Sequence, residues 1–135
     1  MLSRTAESLY WLARYVERAE YLARTIEATL RATALPDAYV GKSNEWESAL
    51  LTAGIDEIFH QHHEEANERT VVDFIAFSPD NPSSIRNCIE NARLNSRSVR
   101  TALTSEMWDT INSAWIELHA SWPRGATTRD ELTKF

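Results

Sequence analysis

Apolar side chains recur along residues 2–33 at alternating steps of three and four: Leu9, Leu12, Val16, Ala19, Ala23, Ile26 and Leu30. This seven-residue repeat predicts one long amphipathic helix whose seam packs against other helices. Ser3 or Thr5 is the expected cap, and Pro36 ends the segment. Glu20–Arg24 and Glu27–Arg31 stand in the favoured Glu-first i,i+4 order. A second stripe, Arg4, Glu7, Trp11, Arg14, Arg18 and Tyr21, mixes guanidinium groups with aromatic rings. It predicts a partly covered flank, facing a partner helix or an anionic ligand.

Beyond a short loop through Gly41, Asn44 with Glu47 three residues on has the layout of a capping box. It opens a second helix that fades in the polar stretch 62–67. Residues 70–77 have the β-branched and aromatic content of a strand, but no second strand pattern exists to pair with it. They are read as a short buried helix. Asn81 as N-cap with Pro82 at the first helical position starts a fourth helix. Its seam is Ile85, Ile89, Ala92, Ser96, Val99 and Leu103, accompanied by a charged stripe of Arg86, Glu90, Arg93, Arg97 and Arg100. Thr104 or Ser105 begins a fifth helix with Trp108, Ile111, Trp115, Leu118 and Trp122 on one face, stopped by Pro123 and Gly125. The prediction is an all-α helical bundle of four to five helices with a long first helix, over residues 1–122, followed by a polar tail at 123–135.

The 135 residues suffice for one domain with a real core, and three Gly favour long helices over a turn-rich β fold. Five Trp are many for this length, so some rings are expected at an interface. The net charge of −6 is concentrated in residues 37–80, which hold ten acids and two bases. This acidic middle disfavours nucleic acid as a partner. No apolar run has the length of a membrane span. A single cysteine, Cys88, excludes an internal disulfide and fits a reducing compartment; with no secretory signal visible, the expected location is cytoplasmic.

Chemistry-bearing patterns are few. Glu57-Ile-Phe-His60 matches the Glu-x-x-His element of carboxylate-bridged di-metal bundles, but no second copy exists, and neither a metal nor a cofactor is expected. Cys88 lies inside a helix and reads as packed. No Gly-rich nucleotide motif and no catalytic triad pattern appears. The anion-binding candidates are Arg14 and Arg18 on the first helix and Arg93 and Arg97 on the fourth, since guanidinium groups match carboxylates and phosphates in shape. Ser83 and Ser84 join them at a helix N-terminus. Structural ion pairs or plain solvation are the competing explanation of these arginines. Glu17 is adjacent to Arg18, so the two side chains point roughly 100° apart and each should meet a different neighbour.

The opening string Met-Leu-Ser-Arg-Thr-Ala-Glu-Ser-Leu-Tyr-Trp-Leu-Ala-Arg-Tyr-Val-Glu-Arg-Ala-Glu closely resembles the start of the bacterial alpha-E family, helical proteins named for a Glu-Arg motif. By that resemblance the motif is Glu17-Arg18, and residues 80–85, Asp-Asn-Pro-Ser-Ser-Ile, are similar to a second hallmark. Ala92-Arg93, Asn95, Arg97, Val99-Arg100 and Ser105-Glu106-Met107-Trp108 continue the likeness to about residue 120. Leu94 and Ser96 depart from it, where the family usually has Glu and Ala. Family members run to roughly twice this length, so the resemblance is to an N-terminal half.

The resemblance implies a circularly permuted ATP-grasp protein as partner, and a part in a peptide-forming or peptide-modifying system. The expected function is a helical binding or scaffold module that meets an anionic group through arginines. The alternatives are an enzyme of the same system using Glu17 as acid/base, and a di-metal bundle. A homodimer is also expected, covering the Trp108, Trp115 and Trp122 face.

Overall fold

A computed structural model describes residues 2–36 and 44–121. The described residues are helical, with no strand: α1 (Leu2–Thr33), α2 (Glu45–Ala53), α3 (Asp56–His62), α4 (Glu68–Ala76), α5 (Ile85–Ser98), a 3₁₀ turn (Arg100–Ala102) and α6 (Ser105–Ser121). The all-α bundle with a long first helix is as the periodicity predicts, with six α-helices in place of four or five. The polar tail, Trp122, Pro123 and the Gly41 loop lie outside the described residues. No described helix is long and apolar enough to cross a membrane.

Local signals explain most boundaries. α1 already begins at Leu2, ahead of both expected caps. The Asn44 side chain accepts from the N–H groups of Trp46 and Glu47 and caps α2. The predicted second helix is in fact two. Gly54, at φ 69°, ends α2 in the left-handed conformation that glycine adopts without a Cβ penalty. The N–H groups of Gly54 and Ile55 close back on the carbonyls of Leu51 and Leu50. α4 is helical as predicted, but starts earlier: Asn67 and Thr70 cap each other's backbone N–H reciprocally.

The start of α5 also differs from the prediction. Ser84, not Asn81, is the N-cap; its Oγ accepts from the N–H of Asn87. Asn81 is instead fully buried and ties two helices together. Its Nδ2 donates to the Phe74 carbonyl in α4 (3.1 Å), its Oδ1 accepts from the N–H of Ser83 (3.0 Å), and its own carbonyl accepts from Asn87 Nδ2 (2.8 Å). The resemblance to a hallmark at residues 80–85 thus has a structural reason: a buried amide closes the corner between α4 and α5.

The main core gathers the C-terminal half of α1 (Leu22, Ile26, Leu30) with Trp46, Leu50, Phe59, Val71, Phe74 and Ile75 of α2–α4. Phe59 and Phe74 meet edge to face at 5.3 Å, and His63 stacks on Phe59 at 4.9 Å. The N-terminal half of α1 leans on α5. That contact runs along Ser84, Cys88, Ala92 and Ser96, spaced by four and all fully buried. Small residues on one ridge let the two backbones approach closely. Of the predicted α5 seam, Ala92, Ser96 and Val99 are buried, whereas Ile85 and Ile89 are half-buried, packing against the main core and lining a pocket between α1 and α6.

Candidate functional site

α6 carries two faces. Arg93 of α5 donates through Nε to Asn112 Oδ1 (2.9 Å) and its guanidinium lies 4.1 Å over the Trp115 ring. Trp115 stacks on His119 at 4.1 Å, and Arg100 sits 5.2 Å over Trp108. Trp108 and Trp115 are therefore used inside the chain, clasped by arginines of the preceding segment, and are not the open apolar face that the sequence pattern suggested. The Trp115 indole N–H is buried without an acceptor among the described residues, so packing and cation–π contact hold the ring.

The other face of α6 looks across a cleft at α1. Both helices lean on α5 and scarcely touch each other. The cleft has two chambers that meet at Val16. In one, of about 510 Å³, Leu9, Ala13 and Val16 of α1 face Met107, Thr110 and Ile111 of α6. In the other, of about 360 Å³, Ala19, Ala23 and Ile26 face Ala114 and Leu118, with Ile85 and Ile89 of α5 lining it too. The pairing gives the chain directions: α6 runs parallel to α1, and α5 runs antiparallel to both. The walls are apolar, and among the described residues the charged groups lining them are carboxylates: Glu17 and Glu106 in the first chamber, Glu20 and Glu117 in the second. Val16 is 39% exposed and Met107 48%, large values for apolar side chains on a heptad seam. Sequence reasoning missed this site. Its signal was present as Met107, Ile111, Ala114 and Leu118, a three-and-four repeat beside the tryptophans.

The candidate arginines do not gather in one place. Arg18 is half-buried where α1 meets α5 and acts electrostatically on Cys88; burial pushes the Cys88 thiol up to about 11, and the Arg18 charge opposes it. Arg93 belongs to the α5–α6 contact. Arg14 and Arg97 are exposed. Ser84 is fully buried as the α5 cap and Ser83 half-buried, and the N–H groups of both are taken by Asn81. Glu57 is exposed, and His60 is engaged by Glu47 at 2.7 Å. That hydrogen bond raises the His60 pKa, with the Glu47 charge adding to it against partial desolvation. Among the described residues no three His, Cys, Asp or Glu side chains cluster as a metal site.

A family model named Alpha-E, described as a predicted alpha-helical domain with a conserved ER motif, matches residues 1–135. The chain belongs to the Alpha-E family. No curated protein and no solved structure matches it. In this Alpha-E chain the adjacent pair Glu17 and Arg18 divides between two surfaces. Glu17 lines the α1–α6 cleft and is exposed, whereas Arg18 turns to α5 beside Cys88. The geometry is that of neighbouring helical residues about 100° apart.

Proposed function

We propose that this Alpha-E chain is a helical binding or scaffold module of a peptide-forming or peptide-modifying system built around an ATP-grasp protein. The observation that carries the binding role is the α1–α6 cleft, an apolar surface about 26 Å long from Leu9 to Ile26 at 1.5 Å per residue. Contiguous exposed apolar surface of this kind marks an interaction site. The link to an ATP-grasp partner rests on the family resemblance. Arg14 and Arg97, exposed on α1 and α5, are the arginines left to meet anionic groups on the peptide or the partner, each at its own place, because Arg93 is already held by Asn112 and Trp115.

The test is co-purification of the chain with a circularly permuted ATP-grasp protein from the same genome. Val16→Asp should abolish the complex while the circular dichroism spectrum is kept. An unaltered complex would remove the cleft from the proposal. Arg14→Ala with Arg97→Ala should weaken capture of an acidic peptide and leave the protein complex intact. A second reading, an enzyme with Glu17 as acid/base, draws on the position of Glu17 on the cleft wall. Loss of turnover in Glu17→Gln with the complex retained would favour it.

A further inference from the structure

Three helices that share one core, with two of them barely in contact, describe three corners of a square. α5 touches both α1 and α6 along its length, and α1 and α6 stand diagonally across from each other. In four-helix bundles the diagonal pair is kept apart by a fourth helix, which runs antiparallel to its neighbours in the simplest topology. Among the described residues the fourth corner is the open cleft. Its apolar lining asks for a helix with a continuous apolar seam. Among the described residues, Glu17 and Glu106 are the charged groups lining the first chamber, and no described Lys, Arg or His lines either chamber. Glu20 is ion-paired with Arg24 on the outer surface, so the first chamber, with Glu17 and Glu106 on opposite walls, carries the clearer charge.

We propose that the cleft is a docking site for an amphipathic helix of a partner protein, with an apolar seam flanked by Lys or Arg and lying antiparallel to α1 and α6. This rests on the binding reading above and adds the chemistry of the partner. Apolar contact supplies the affinity, and the carboxylate walls select the basic flank and reject an acidic one.

The test uses two synthetic peptides of about 18 residues, enough to span the cleft. They share a Leu seam, and one has Lys and the other Glu at the flanking positions. Binding to the whole chain is followed by fluorescence anisotropy at low and high salt. The Lys peptide should bind roughly tenfold tighter than the Glu peptide, with the gap narrowing in high salt. The double reversal Glu17→Lys with Glu106→Lys should invert the preference. Glu57→Lys, at an exposed position of α3, should leave it unchanged. Val16→Asp and Met107→Asp, both at exposed positions, should each abolish binding with the circular dichroism spectrum kept.

Equal binding of the two peptides, or a preference that survives the double reversal, overturns the basic-flank assignment. If the co-purified complex is still lost in Val16→Asp, the binding reading stands without it. Peptide binding unchanged in both Asp variants overturns the cleft as the site. Concentration-dependent self-association that Val16→Asp removes, with no peptide preference, assigns the corner to a second copy of this chain and also overturns the proposal.

Discussion

Replacing Asn81 with Ala should be among the most damaging single changes in this chain, though it removes little apolar contact. Asn81 is fully buried, and its amide makes two hydrogen bonds to backbone groups that helical pairing leaves over: the Phe74 carbonyl near the end of α4 and the Ser83 N–H ahead of α5. The truncation leaves one buried acceptor and one partly buried donor without a partner. At about 1–3 kcal/mol for a buried orphan, and less for the half-buried Ser83, the sum is about 2–4 kcal/mol. That is a large share of the roughly 5–15 kcal/mol that holds a domain folded. Urea denaturation followed by circular dichroism and Trp fluorescence measures it, as a lower midpoint at unchanged slope. Asn81→Asp supplies a second reading of the same site. The carboxylate can still accept from Ser83 but cannot donate to Phe74, and burial raises its folded pKa above the unfolded value near 4. Its relative stability is therefore greatest in acid, where the protonated group can donate, and is lost as pH rises through the folded pKa. An Asn81→Ala variant within about 0.5 kcal/mol of the parent would refute the reasoning, since that is the range of ordinary surface changes.

Other expectations follow from the same packing. Ala92→Leu inserts a branched side chain at a fully buried position of α5 and should cost about 1–3 kcal/mol or more, whereas Leu94→Ala at an exposed position two residues on should stay within about 0.5 kcal/mol; chemical denaturation separates them. The buried Cys88 thiol, pushed up to about 11, should resist a disulfide reagent at pH 8 in the native state and react at once in denaturant, read from absorbance. His60 should titrate above 6.5 by NMR, and Glu47→Gln should lower that value. The stability it lends is present below pH 6.5, as long as Glu47 is ionised, and is lost as pH rises through the raised value, so melting curves of parent and variant should converge in base.

The sequence made the helices legible wherever period and cap agreed. The caps at Asn44 and Thr104 could be read directly, and the Glu20–Arg24 and Glu27–Arg31 pairs form as their spacing predicts; of the α1 seam, Leu12, Ala19, Ile26 and Leu30 are buried as predicted, whereas Val16 and Ala23 are exposed and Leu22, outside it, is buried. The break at Gly54 was hidden because apolar residues continue at helical spacing on both sides of it. Asn81-Pro82 reads as a helix start by local rules, yet the tertiary demand of the orphan Phe74 carbonyl takes the Asn side chain away. Arginine placement was the least legible. Periodicity assigns Arg93 and Arg97 to one stripe, but only contact with α6 shows that Arg93 is engaged and Arg97 exposed. The candidate cleft was hidden for a related reason. Tryptophan dominates any reading of α6 by area, and the smaller Met107–Leu118 face beside it gains meaning only once α5 has claimed the rings.

The separation of Glu17 from Arg18 gives a Glu-Arg pair a physical reading that does not need the two charges to touch. One turn of α1 must serve two surfaces: a close contact with α5, lined by Cys88 and Ala92, and an open cleft toward α6. A long, planar, always-charged side chain suits the first, because its stem can cover the small-residue ridge while its head stays at the edge of the contact. A carboxylate suits the second, where it sits on an apolar wall within reach of water. Exchanging the two residues would keep the composition and net charge of the turn, yet it would place the guanidinium in the cleft and leave the short acid beside a buried thiol. Neighbouring positions on a helix thus cannot trade roles, and the order Glu then Arg follows from which flank of α1 faces α5.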